Sequence, residues 1–123
     1  MSYLNKRKKA FGYAGRGIRR LVSNEAHAKI HLLAAVIVVI VGAIMGLSAN
    51  EWCLVILCIG GVLMAEGFNT AVELLSDKVS PEYDPLIGAA KDVAAGAVLI
   101  MAIAAAAVGL IIFLPKFFLH YFA

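Results

Sequence analysis

Residues 52–77 read WCLVILCIGGVLMAEGFNTAVELLSD, an apolar run that passes at Ala65 into a segment carrying Glu66, Asn69, Glu73 and Asp77. A bilayer-spanning helix needs about 20 mostly apolar residues, so the apolar part alone is too short to cross. It reaches spanning length only if the helix continues into the polar part. The spacing therefore predicts one helix over residues 51–78, with its polar half still helical.

Working outward, two further apolar runs cover residues 30–47 and 93–114, and both approach spanning length directly. The chain has 123 residues, of which 63% are hydrophobic and only 15% charged, and its mean hydropathy is +0.91. Those values exclude an ordinary soluble domain of this size and place the chain in a membrane. The expected architecture is an all-α membrane protein in one domain: an N-terminal amphipathic surface helix over about 5–22 and spans over about 28–47, 51–78 and 87–114. Three spans enclose little on their own, so self-association is expected. The third span is rich in small residues, among them Ala94, Ala95, Gly96, Ala97 and Ala104 to Ala107, which let helix backbones approach in lipid. Alanine-rich spans also occur without such an interface. Cys53 and Cys58 lie within one apolar helix and suit neither a local disulfide nor a metal pair.

Charge sets the orientation. Eight of the 11 Lys and Arg residues precede the first span, namely Lys6, Arg7, Lys8, Lys9, Arg16, Arg19, Arg20 and Lys29. By the positive-inside rule that end is cytoplasmic, which puts seven of the eight acids at or near the cytoplasmic face and only Glu51 outside. Residues 9–22 read KAFGYAGRGIRRLV, the pattern of a basic amphipathic helix lying in the membrane interface. Their glycines lack the spacing and the Lys-Ser/Thr pair of a phosphate-binding P-loop. The leader is also too charged for a cleaved signal peptide.

On a helix, Glu66, Asn69, Glu73 and Asp77 form one narrow stripe about 16 Å long. A carboxylate at membrane depth costs roughly 2.5–3.5 kcal/mol on insertion scales, so such groups face protein or a watery cavity. The neighbouring helix ends supply matching groups: Asn24, Glu25, Lys29 and His31 at the first span, Lys91 and Asp92 at the third. Carboxylates and an amide from different helices suit magnesium bridging phosphate oxygens, with a lysine for the phosphates themselves. Blander readings exist for some of these. Glu25 and Lys29 fit an i, i+4 surface pair, and Glu82 and Asp84 beside prolines fit a solvated turn. Two functions match the stripe, a membrane phosphotransferase and a small ion or proton transporter. The outer halves of the spans hold no ionisable residue apart from Glu51 at a helix end, which favours a one-sided site and the enzyme.

The segments NEAHAKIH (24–31), EGFNTAVELLSDKVS (66–80) and AAKDVAAGAVLI (89–100) occur in the order, and with the acids, amide and lysine, of the small prokaryotic diacylglycerol and undecaprenol kinases, and the chain resembles that family over nearly its whole length. The resemblance implies a homotrimeric bundle with active sites shared between subunits, in a bacterial cytoplasmic membrane. It implies transfer of the ATP γ-phosphate to a lipid alcohol with Mg²⁺, and no nucleic-acid partner is expected. By position, Glu66 resembles the catalytic base, and Glu25 and Glu73 resemble metal ligands. Asn69, Asp77, Lys91 and Asp92 match positions that organise the ATP phosphates or support the site, and Tyr13, Arg16 and Lys29 match nucleotide contacts. Lys29-Ile30-His31 is more similar to the undecaprenol branch, so undecaprenol is favoured over diacylglycerol. Gly67 and Ala28 depart from the residues common at their positions, both near the expected lipid or nucleotide contacts.

Overall fold

A computed structural model describes residues 2–122 as four helices: α1 (Tyr3–Asn24), α2 (Ala26–Met45), α3 (Ala49–Val79) and α4 (Pro85–Phe122). The last three are long and apolar enough to cross a membrane, so the chain is a multi-pass membrane protein. Residues 52–77 lie entirely within α3, whose 31 residues correspond to about 46 Å of helix. That is longer than a hydrocarbon core of about 30 Å, so the helix is long enough to keep Glu66 within the span and to carry Asp77 beyond it.

Local chemistry explains where each helix starts and stops. Ser2 caps α1 by accepting from the Asn5 amide at 3.3 Å. α2 ends at Gly46, whose φ of +74° is left-handed and suits glycine. α3 opens with a reciprocal capping box, in which the Ser48 hydroxyl accepts from the Glu51 amide at 3.2 Å and the Ser48 amide donates to the Glu51 carboxylate at 3.0 Å. Asp84 Oδ1 accepts from the Leu86 and Ile87 amides at 2.9 and 3.1 Å, which starts α4.

Seven of the eight helix ends lie within two residues of expectation, and the last does not. α1 extends two residues further at each end, a common fraying of helix limits set here by its caps. More substantially, α4 continues through Pro115 to Phe122 instead of stopping at residue 114. Proline removes one helical hydrogen bond, and contacts on its far side hold the helix together. Phe117 stacks near Tyr121 with ring centroids 4.8 Å apart, Phe118 lies 5.5 Å from Phe122, and Lys116 reaches Glu51 of α3 at 3.1 Å.

The main packing is α3 against α4. At Gly61 the two helices approach so closely that a Cβ would lie 2.6 Å from Met101 Cε. Within one chain the core is small, comprising Ala28, Val55, Val62 and Ile112. Large apolar side chains such as Ile37, Leu57 and Ile111 point outward. In water that surface would be prohibitive, whereas against lipid tails or another copy it costs nothing.

Candidate active site

The stripe on α3 changes character along its length. Glu66 is 5% exposed, Thr70 one turn later 7%, and Asn69 is half-buried, whereas Glu73 and Asp77 are exposed. Burial thus falls along the stripe from Glu66 to Asp77, while the helix itself stays packed at Ser76, 5% exposed. Two of the acids find partners from other helices. Glu66 Oε1 lies 3.2 Å from Nε2 of His31 on α2. Asp77 Oδ1 accepts from Lys91 Nζ of α4 at 2.7 Å, a charge-assisted bond that ties the exposed ends of α3 and α4 together. The fold therefore brings the stripe against the N-terminal part of α2 and the start of α4.

Other expected site residues are left with free valences. Glu25 is the single residue between α1 and α2, and although it occupies the cap position of α2 its side chain caps nothing. It forms no ion pair with Lys29 among the described residues, so the surface-pair reading gains no support. Asn69 Oδ1 is buried without a hydrogen-bond partner among the described residues. An orphaned buried acceptor costs about 1–3 kcal/mol, a cost that a ligand donor or cation removes. Asp92 and Lys29 are exposed and enter no ion pair among the described residues.

The α1 residues stand apart from the stripe. Arg16 lies with its guanidinium carbon 4.8 Å above the Tyr13 ring and donates through Nε to the Gly12 carbonyl at 3.5 Å, and both side chains are exposed. The glycines around them are helical, so this segment forms no phosphate loop. α1 does touch the site's neighbourhood, since a Cβ on Gly67 would meet Leu21 at an ordinary 3.6 Å. Ala28, by contrast, is 1% exposed, and its small side chain is dictated by packing at the start of α2.

The donor set suits a hard cation that keeps substrate oxygens among its ligands. Glu25 and Glu73 offer carboxylates, and magnesium is commonly held by one or two carboxylates plus phosphates. Among the described residues of a single chain no group of three His, Cys, Asp or Glu side chains forms a complete cage. Sequence reasoning missed three contacts, that of Asp77 with Lys91 among them. The His31 contact with Glu66 had a signal, a histidine placed at the mouth of an apolar span. The Glu51–Lys116 contact had none, because the two residues stand at opposite ends of the α3–α4 pair in sequence.

The sequence model of the prokaryotic diacylglycerol kinase family matches residues 12–113, and so covers all of the stripe and its partners. The chain belongs to that family. It is 43% identical over 113 residues to an undecaprenol kinase of Bacillus subtilis, covering 92% of each chain. It is 34% identical over 97 residues to a diacylglycerol kinase of Escherichia coli, covering 79% of this chain and 80% of that one. A diacylglycerol kinase of Synechocystis is 36% identical over 107 residues, 86% of this chain and 61% of that relative. The chain is therefore a membrane lipid kinase, and the transporter reading falls away.

Proposed function

We propose that this kinase phosphorylates undecaprenol in preference to diacylglycerol, using ATP at the cytoplasmic face of a bacterial inner membrane. The similarity to the undecaprenol kinase over nearly the full length of both chains supports the lipid. The observation that carries the mechanism is the burial of Glu66 at the deep end of a stripe whose other end is exposed. A lipid hydroxyl arrives from the hydrocarbon and ATP from water, so the group meeting the hydroxyl must be the deepest acid.

The lipid oxygen attacks the γ-phosphorus, the bond from that phosphorus to the β–γ bridging oxygen breaks, ADP leaves, and the hydroxyl proton passes to the Glu66 carboxylate. Lys91, held by Asp77, offers its remaining N–H donors to phosphate oxygens. Asn69 and Asp92 orient the phosphates, while Tyr13, Arg16 and Lys29 contribute nucleotide contacts. Glu25 and Glu73 would hold Mg²⁺, which when bound neutralises charge on the transferred group.

The family resemblance, together with the apolar faces that the spans leave exposed, supports a homotrimer with shared sites. The mass of the detergent-solubilised particle checks this, with three chains expected and a monomer counting against it. The basic N-terminal helix supports a cytoplasmic N-terminus, and protease access to that end in oriented vesicles reads it directly.

The deciding experiment reconstitutes the protein in lipid with Mg²⁺-ATP and follows labelled phosphate into undecaprenol or diacylglycerol, for wild type and Glu66→Gln. Faster transfer to undecaprenol that disappears in the variant is expected. Faster transfer to diacylglycerol overturns the substrate assignment, and full activity in the variant overturns the role of Glu66.

A further inference from the structure

Glu66 is an acid within a membrane-spanning helix, its side chain 6% exposed, and its only charged or polar side-chain partner among the described residues is His31. The imidazole itself is 26% exposed and reaches across from α2, a different helix. It also lines an apolar groove between α2, α3 and α4, together with Ala34, Val38, Cys58, Ile59 and Ala105. Within that lining His31 is the only side chain bearing nitrogen or oxygen, and Glu66 itself does not line the groove. His31 therefore stands between the groove and the carboxylate.

We propose that His31 is a positioning residue for the lipid-phosphorylating site, in which its Nε2 holds Oε1 of Glu66 so that Oε2 faces the substrate hydroxyl. The inference rests on Glu66 acting as the base. A carboxylate has two equivalent oxygens and rotates about its last bond, so an unheld base spends much of its time misdirected. Anchoring one oxygen selects a rotamer and leaves the other lone pairs for the proton. An imidazole suits this place because Nε2 donates in the Nε2–H tautomer of the neutral ring as well as in the charged ring, so the anchor persists in either state. It also offsets the cost of a carboxylate at this depth, which an apolar neighbour would leave uncompensated.

The test uses the full-length wild type in lipid with Mg²⁺-ATP, beside Glu66→Gln, His31→Phe and His31→Gln. Wild-type transfer that Glu66→Gln abolishes secures the reading on which the inference depends, independently of His31. Given that, His31→Phe, which keeps ring volume without a donor, is expected to lower kcat on the order of 10- to 100-fold. The KM for ATP is expected to stay unchanged. His31→Gln, which keeps an N–H donor at similar reach, is expected to recover most of that loss. Wild-type kcat in His31→Phe, equal loss in both His31 variants, or a loss confined to the ATP KM overturns the proposal. Should either His31 variant fail to fold, ¹⁵N-imidazole NMR on otherwise native protein decides. Replacing Glu66 by Gln is expected to move the His31 Nε2 signal, and an unmoved signal overturns the contact.

Discussion

Both ends of the α3–α4 pair carry acids matched with basic side chains, yet the two ends use them differently. At the α3 N-terminus, Glu51 accepts nothing further in reserve: its carboxylate serves the Ser48 amide in the capping box and meets Lys116 across the helix pair. At the stripe end, Asp77 is matched with Lys91 and Glu66 with His31, but Glu73, Asp92 and Glu25 form no ion pair among the described residues, and Asn69 Oδ1 is orphaned. The first arrangement is what a helix end needs for stability. The second leaves Glu73 and Asp92 to solvent and Asn69 Oδ1 buried without a partner among the described residues, a cost that a ligand donor or cation would remove. The two ends thus contrast charge that holds the fold with charge that we propose does chemistry.

The sharpest way to break that distinction is to neutralise the acids of the stripe one at a time. Glu66→Gln is expected to lower phosphate transfer by about 10²–10⁴-fold, the usual contribution of a general base, while thermal unfolding in the same detergent stays cooperative. Next in size, Glu73→Gln is expected to raise the Mg²⁺ concentration for half-maximal activity on the order of tenfold or more. Glu73 is exposed, so its unfolding curve should not move. If the metal requirement is unchanged, Glu73 belongs with the merely solvated acids.

Packing beside the site separates in the same manner. Ala28→Phe forces a ring into a position that is 1% exposed, with an expected loss of roughly 1–3 kcal/mol in denaturant titration from overpacking. An unaltered titration midpoint would instead make Ala28 a matter of lipid choice. At the opposite end, Lys116→Met is expected to lower the melting temperature slightly and to leave kcat as it is, because its partner Glu51 keeps the capping box. A large fall in kcat there would erase the contrast between the ends. Smallest of all, Gly67→Ala adds a methyl at ordinary contact distance from Leu21 and improves helix propensity. Up to about 1 kcal/mol of stabilisation is expected, with transfer at the wild-type rate.

Much of this was legible before any coordinates. Three apolar stretches and a basic amphipathic leader correspond to α2, α3, α4 and α1, and residues 52–77 do form one helix, because a span must satisfy its backbone internally and so cannot end at Ala65. The limit of α4 was misjudged at Pro115, a local signal that aromatic neighbours and Lys116 override through contacts at i+4 and across helices. Within the candidate site, periodicity sufficed to align Glu66, Asn69, Glu73 and Asp77 on one face.

Sequence alone determined the helical class, the membrane setting and the acidic face, since each follows from hydropathy and the 3.6-residue period of a single helix. Only the tertiary structure decided which acid is buried, that His31 rather than Lys29 meets Glu66, and that Lys91 closes on Asp77. Those facts depend on the rotation and depth of one helix against another, which the packing of side chains such as Gly61 against Met101 sets and which no single-helix pattern encodes.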